Sequence, residues 1–122
     1  MGNHEVEGKR VLLADDEESV RESLGMLLRL DSHEVVSVGD AEEALDRFRQ
    51  WTFDLIITDY AMPGMTGSEL AVQIKRTAPQ QRILMITAYP NIMPGPHNPV
   101  DAVLTKPFAI NDLRSTVASL LN

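Results

Sequence analysis

The sequence predicts an α/β domain, a parallel sheet with helices on both faces, and three observations lead there. Short apolar runs such as Val11-Leu12-Leu13-Ala14 and Leu55-Ile56-Ile57 are continuous rather than alternating, which is the pattern of strands buried on both sides. Other segments repeat apolar residues at helical spacing: Val20, Leu24, Leu27 and Leu28 fall at i, i+4, i+7 and i+8. The two patterns alternate along the chain, as right-handed βαβ units require.

The 122 residues fit one domain with a single core, and the organisation reads as a polar lead over residues 1–9 followed by a domain over 10–122. The first strand, Val11–Ala14, runs straight into Asp15-Asp16, then Glu17-Glu18. Acidic residues at a helix start suit its positive end, at ~0.3–1 kcal/mol each, but a cap needs one such residue and not two against a buried strand. The helix that follows sets Arg21, Glu22 and Arg29 opposite its apolar stripe. Glu34–Val38 is the second strand, and Asp40 and Glu43 have the spacing of a capping box. The helix they open puts Ala41, Ala44, Leu45 and Phe48 on one face.

The central strand, Leu55–Asp59, ends abruptly in a carboxylate before the turn Tyr60-Ala61-Met62-Pro63-Gly64. A second capping-box spacing, Thr66 and Glu69, starts a helix with Leu70, Ala71 and Ile74 inward, ending before Pro79. Arg82–Ile86 is the fourth strand, followed by Thr87; Ala102–Thr105 is the fifth and delivers Lys106. Between them Pro90, Pro94, Pro96 and Pro99, with Gly95, leave room for an irregular loop or one turn at most. The final helix carries Ile110, Leu113, Val117, Leu120 and Leu121.

A hydrophobic content of 43% and a charged content of 24% are ordinary for a globular protein and exclude disorder. The absence of cysteine excludes disulfides and thiolate chemistry. No apolar run reaches about 18 residues and Met1 to Arg10 lacks a signal-peptide core, so a cytoplasmic location without membrane contact is expected. Eleven basic against eighteen acidic residues give a net charge of −7, which argues against direct nucleic-acid binding. Lys75-Arg76 and Arg47-Phe48-Arg49 read as solvated helix faces. His4, His33 and His97 are dispersed and read as surface residues; Met26, Met62, Met65 and Met85 read as core or turn packing, and Trp51 as a partial core anchor.

Ligands of open parallel sheets sit beyond the carboxyl ends of the strands. A common rim there would gather Asp15 and Asp16, Asp59, Thr87 and Lys106. Three carboxylates in one pocket call for a cation, and oxygen-only ligands point to Mg²⁺ or Mn²⁺ rather than zinc. A metal, a lysine and a hydroxyl around a free carboxylate suit phosphoryl transfer, with an aspartyl phosphate as product.

The residues Val11-Leu12-Leu13-Ala14-Asp15-Asp16-Glu17, then Asp54 to Gly67, Ile86-Thr87-Ala88 and Thr105-Lys106-Pro107-Phe108, occur in an order and spacing that resembles the receiver domain of two-component response regulators. The resemblance covers about Arg10 to Leu121 and implies a flavodoxin-like, doubly wound five-stranded sheet of order 2-1-3-4-5. It implies that Asp59 accepts a phosphoryl group from the phosphohistidine of a sensor kinase or phosphotransfer protein. It implies Mg²⁺ on Asp16, Asp59 and the Ala61 carbonyl, with Asp15 acting largely through water. Lys106 would pair with the phosphoryl oxygens and Thr87 would register the group. The domain would catalyse its own phosphorylation and slow dephosphorylation, and switch an output domain or protein, with a homodimer compatible.

Two departures stand out. The family's aromatic residue three positions before the lysine is here Val103, and its regular fourth helix is replaced by the proline-rich segment. Tyr89 is either a substitute for the missing ring or a loop aromatic resting on the surface. The departures favour an alternative, a pseudo-receiver that docks or dimerises without phosphate, while retention of Asp15, Asp16, Asp59, Thr87 and Lys106 argues against it. A haloacid-dehalogenase phosphatase would need Asp-x-Asp after the first strand, and a flavin binder a Ser/Thr-rich loop; neither is present.

Overall fold

The computed structural model describes residues 8–122. Along the chain lie β1 (Arg10–Ala14), α1 (Glu18–Leu30), β2 (Glu34–Val38), α2 (Ala41–Gln50), β3 (Leu55–Asp59), α3 (Gly67–Thr77), β4 (Ile83–Thr87), β5 (Ala102–Thr105) and α4 (Ile110–Leu121). The strands form one parallel sheet of order β2-β1-β3-β4-β5, as the resemblance implied. His4 lies outside the described residues.

Alternate strand residues feed two cores. Val11, Leu13, Leu55, Ile57, Leu84 and Ile86 pack under α1 and α4 with Leu24, Leu28, Leu113 and Val117. Leu12, Ala14, Ile56, Ile83 and Met85 point the other way, against Ala41, Ala44, Leu70, Ala71 and Ile74 of α2 and α3. Burial on both faces is what makes the strand sequences continuous in hydrophobicity. It also leaves the polar residues that end the strands at the rim.

Three of the helix ends are specified locally. Thr66 and Glu69 form the complete capping box at α3. At α2 the Asp40 carboxylate accepts from the Glu43 N–H, but Glu43 reaches back one residue further, to the Gly39 N–H at 3.0 Å. The end of α1 is a Schellman motif: the Ser32 N–H donates to the Arg29 carbonyl and the His33 N–H to the Leu28 carbonyl. Ser32 occupies the left-handed position, with a φ of 70°, that glycine usually takes.

Several expectations are corrected. His33 is buried, because the short turn from α1 into β2 tucks it beneath the helix end, whereas His97 is exposed as expected. Met26 and Ile110 are exposed on their helices, while Met62 and Met85 are buried and Met65 packs against the core. Trp51 is largely exposed; it lies past α2, stacked under the Arg10 guanidinium and against Phe53. Lys75 is not on a solvated face. Its ammonium donates to the Gln81 carbonyl at 2.6 Å and to Asp101 at 3.1 Å, and Asp101 also accepts from the buried Ile83 N–H at 2.8 Å. That cluster pins the starts of β4 and β5 to α3.

Between β4 and β5 no helix forms; residues 88–101 run as turns and bends, closed by a bridge between Gly95 and Asn98. Ile92 and Val100 take the place of helical side chains against the α2/α3 core. No helix among the described residues is long and apolar enough to cross a membrane.

Candidate functional site

Strand register builds the site. Ala14 pairs with Thr58, Asp59 with Ile86, and Thr87 with Thr105, so Asp15, Asp59, Thr87 and Lys106 emerge at neighbouring strand tips. One carboxylate oxygen each from Asp15, Asp16 and Asp59 lies within 4.8 Å of the others. Asp15 and Asp59 are buried, whereas Asp16 faces solvent. The Lys106 Nζ stands 3.7 Å from Asp59 Oδ2 and 3.9 Å from Asp15 Oδ2, within ion-pair range and beyond a direct hydrogen bond. Thr87 is buried, and its hydroxyl accepts from the Tyr89 N–H at 3.0 Å. All five polar residues singled out in the sequence are therefore brought together, and Ala61 follows Asp59 by two positions at the same rim.

Local bonds hold these groups in place. Asp15 Oδ1 accepts from the Glu17 N–H, and the Asp15 carbonyl accepts from the Arg21 guanidinium at 2.6 Å. Arg21 thus turns toward the site rather than away from it, and its position in the helix pattern concealed this. The Lys106 N–H donates to the Thr87 carbonyl at 2.7 Å, joining the tips of β4 and β5, and the Lys106–Pro107 peptide is cis. Gly67 opens α3 so close to β3 that a Cβ there would stand 2.2 Å from the Asp59 carbonyl oxygen. Its N–H donates to the Tyr60 carbonyl at 2.8 Å. The sequence carries Gly67 only as one more glycine after a turn; the requirement for it is tertiary.

Burial raises the Asp59 carboxyl above its ordinary range, and the neighbouring Asp15 raises it further, against the opposing pull of Lys106. Asp15 is raised first by burial and then by Asp16 and Glu17, with the Glu17 N–H and Lys106 opposing. One lysine does not offset three carboxylates. An oxygen-only set under mutual repulsion fits a hard divalent cation.

Residues 11–118 match the model of the response regulator receiver domain family. The chain belongs to the receiver family of response regulators. Among curated relatives, this receiver is 34% identical to the response regulator receiver protein CpdR of Brucella abortus over 116 residues, 93% of this chain and 97% of that protein. It is 33% identical to response regulator MprA of Mycolicibacterium vanbaalenii over 92% of this chain, but spans only half of that longer protein. Among solved structures it is similar to response regulator protein TrrA of Thermotoga maritima, at 33% identity and a TM-score of 0.88, covering 93% of this chain and 99% of that one. TrrA has been solved in complex with Mg²⁺-BeF, and also in complex with the histidine kinase ThkA. The fold is that of receivers, and the acidic pocket of Asp15, Asp16 and Asp59 fits a phosphoacceptor site.

Proposed function

We propose that this receiver takes a phosphoryl group from the phosphohistidine of a histidine kinase or phosphotransfer protein onto Asp59, with Mg²⁺ held by Asp16, Asp59, the Ala61 carbonyl and, through water, Asp15. The observation that carries the reading is the convergence of three carboxylates on one lysine and one buried threonine at the tips of four strands. The Mg²⁺ complex of TrrA supports the choice of ion. Bound Mg²⁺ supplies positive charge that offsets the carboxylates and the incoming phosphoryl oxygens.

The chain's own residues do the rest. An Asp59 carboxylate oxygen attacks phosphorus; the bond from phosphorus to the donor imidazole nitrogen breaks, and its electron pair stays with the leaving ring. For that attack Asp59 must be ionised, and Lys106 at 3.7 Å favours the ionised form. Lys106 then pairs with a phosphoryl oxygen, and the Thr87 hydroxyl, whose oxygen accepts from the Tyr89 N–H, donates its proton to another. Attack of water on phosphorus later restores the carboxylate.

Incubation with Mg²⁺ and acetyl phosphate tests the reading. An added phosphoryl mass is expected on the natural chain and absent from Asp59→Asn. If no adduct forms under forcing conditions, a docking or dimerisation module without phosphate becomes the better description, a role that the missing aromatic at Val103 and the irregular, non-helical segment between β4 and β5 favour. The phosphorylated form switches an output domain or protein, and Mn²⁺ is expected to substitute for Mg²⁺ because its ligand preferences are similar.

A further inference from the structure

Arg21 reaches the acidic site through the backbone. From the first turn of α1 its Nη1 donates to the Asp15 carbonyl at 2.6 Å, a short, charge-assisted hydrogen bond. The same nitrogen lies 3.5 Å from the point that a Cβ on Gly39 would occupy, so the guanidinium is seated between the tip of β1 and the turn that opens α2. Among the described residues it forms no ion pair with a carboxylate.

The carbonyl it holds belongs to the peptide that joins Asp15 to Asp16. Asp15 has further anchors of its own: its N–H donates to the Val38 carbonyl at 3.2 Å, and its Oδ1 accepts from the Glu17 N–H at 2.9 Å. Asp16 is exposed, and among the described residues its carboxylate makes no hydrogen bond or ion pair. A peptide unit is planar but can swing about the line between its Cα atoms, which changes ψ of Asp15 and φ of Asp16, and so the direction in which the Asp16 side chain leaves the backbone. The bond from Arg21 opposes that swing.

We propose that Arg21 is a positioning residue for the divalent cation: by fixing the Asp15–Asp16 peptide it aims the Asp16 carboxylate into the pocket shared with Asp15 and Asp59. This rests on the metal reading above, in which Asp16 is a direct ligand. The sign of the effect separates a brace from plain electrostatics. A positive charge beside the pocket repels a cation, so its removal would tighten Mg²⁺ binding through charge alone, whereas loss of a brace weakens it.

Titration of the metal-free chain with Mg²⁺, followed by the NMR shifts of the Asp16, Asp59 and Ala61 amides, tests this. Arg21→Met, which keeps an apolar stem without donor or charge, should raise the Kd for Mg²⁺ about tenfold, as loss of an outer partner of a metal ligand does. Arg29→Met removes the same charge from the exposed last turn of α1 and should leave the Kd within about twofold. Asp16→Ala takes away the ligand being aimed; on that background Arg21→Met should add less than about twofold, which a general loosening of the fold would not reproduce. If Arg21→Met binds Mg²⁺ as tightly as the natural chain or more tightly, if Arg29→Met weakens it as much, or if Arg21→Met weakens it equally with and without Asp16, the brace is wrong while the metal site stands. If Mg²⁺ does not bind the natural chain at these residues, the metal site and the brace fail together.

Discussion

Replacing Gly67 by alanine tests how far the site depends on close packing of α3 against the end of β3. The added methyl would lie 2.2 Å from the Asp59 carbonyl oxygen, 3.1 Å from its carbon and 3.1 Å from the Tyr60 Cα, where ordinary contact begins at 3.4 Å. Every one of these neighbours is backbone, so no side chain can swing aside. Relief requires a shift of about 1.2 Å (3.4 − 2.2) between the helix and the strand. Overpacking of this kind costs ~1–3 kcal/mol, and loss of the bond from the Gly67 N–H to Tyr60 adds ~0.5–1.5. Alanine's better helix propensity returns up to ~1 kcal/mol. The net loss is about 2 kcal/mol, or a fall in Tm of roughly 6–12 °C for a domain of this size. Since the shift moves the backbone between Asp59 and Ala61, phosphorylation by acetyl phosphate should slow by about 10- to 100-fold. Urea denaturation and the rate of adduct formation measure the two effects. A variant within ~0.5 kcal/mol of the natural chain and phosphorylated at the natural rate would refute the reasoning.

Ser32→Gly should stabilise the domain by ~0.5–1 kcal/mol in urea denaturation, because Ser32 sits at a φ of 70° in the Schellman turn; a loss of stability would show that the Ser32 side chain contributes more than its strain costs. Asp101→Ala should cost about 1–3 kcal/mol by leaving the buried Ile83 N–H without that acceptor and Lys75 without its carboxylate, and an unchanged denaturation midpoint would refute the role of that cluster. The raised Asp15 and Asp59 carboxyls bind protons more tightly in the folded than in the unfolded chain. Their contribution is therefore favourable below the ordinary value of 3.8 and is lost as pH rises through their raised values, so Asp15→Asn should raise Tm in metal-free buffer at pH ~7 and gain less near pH ~4. Thermal melts over that range decide it, and a variant less stable than the natural chain at neutral pH would contradict the repulsion.

Most of the architecture was legible because a doubly covered sheet imposes a simple rule: strands are apolar throughout, so a charged residue at a strand end stands out. That rule exposed Asp15, Asp59 and Lys106, and two capping-box spacings placed α2 and α3. What stayed hidden depends on contacts between residues distant in sequence. Lys75 looked solvated because its partner Asp101 lies 26 positions away, beyond β4 and the loop that follows it. Ser32 gave no stop signal for α1 because the left-handed position lacks its usual glycine. Asn98, which the structure buries, was lost among prolines, where periodicity says nothing. Trp51 misled because an aromatic residue can lie on the surface when an arginine covers its ring, as Arg10 does here.

The central claim is that one pocket both holds the divalent ion and carries the nucleophile, and the most direct test is to find which atom receives the phosphoryl group. Trapping the acyl phosphate by borohydride reduction and sequencing the peptides by tandem mass spectrometry should place the label on Asp59, and only when Mg²⁺ is present during the reaction. A label on Asp15 or Asp16, or one that forms equally well in chelator, would contradict it.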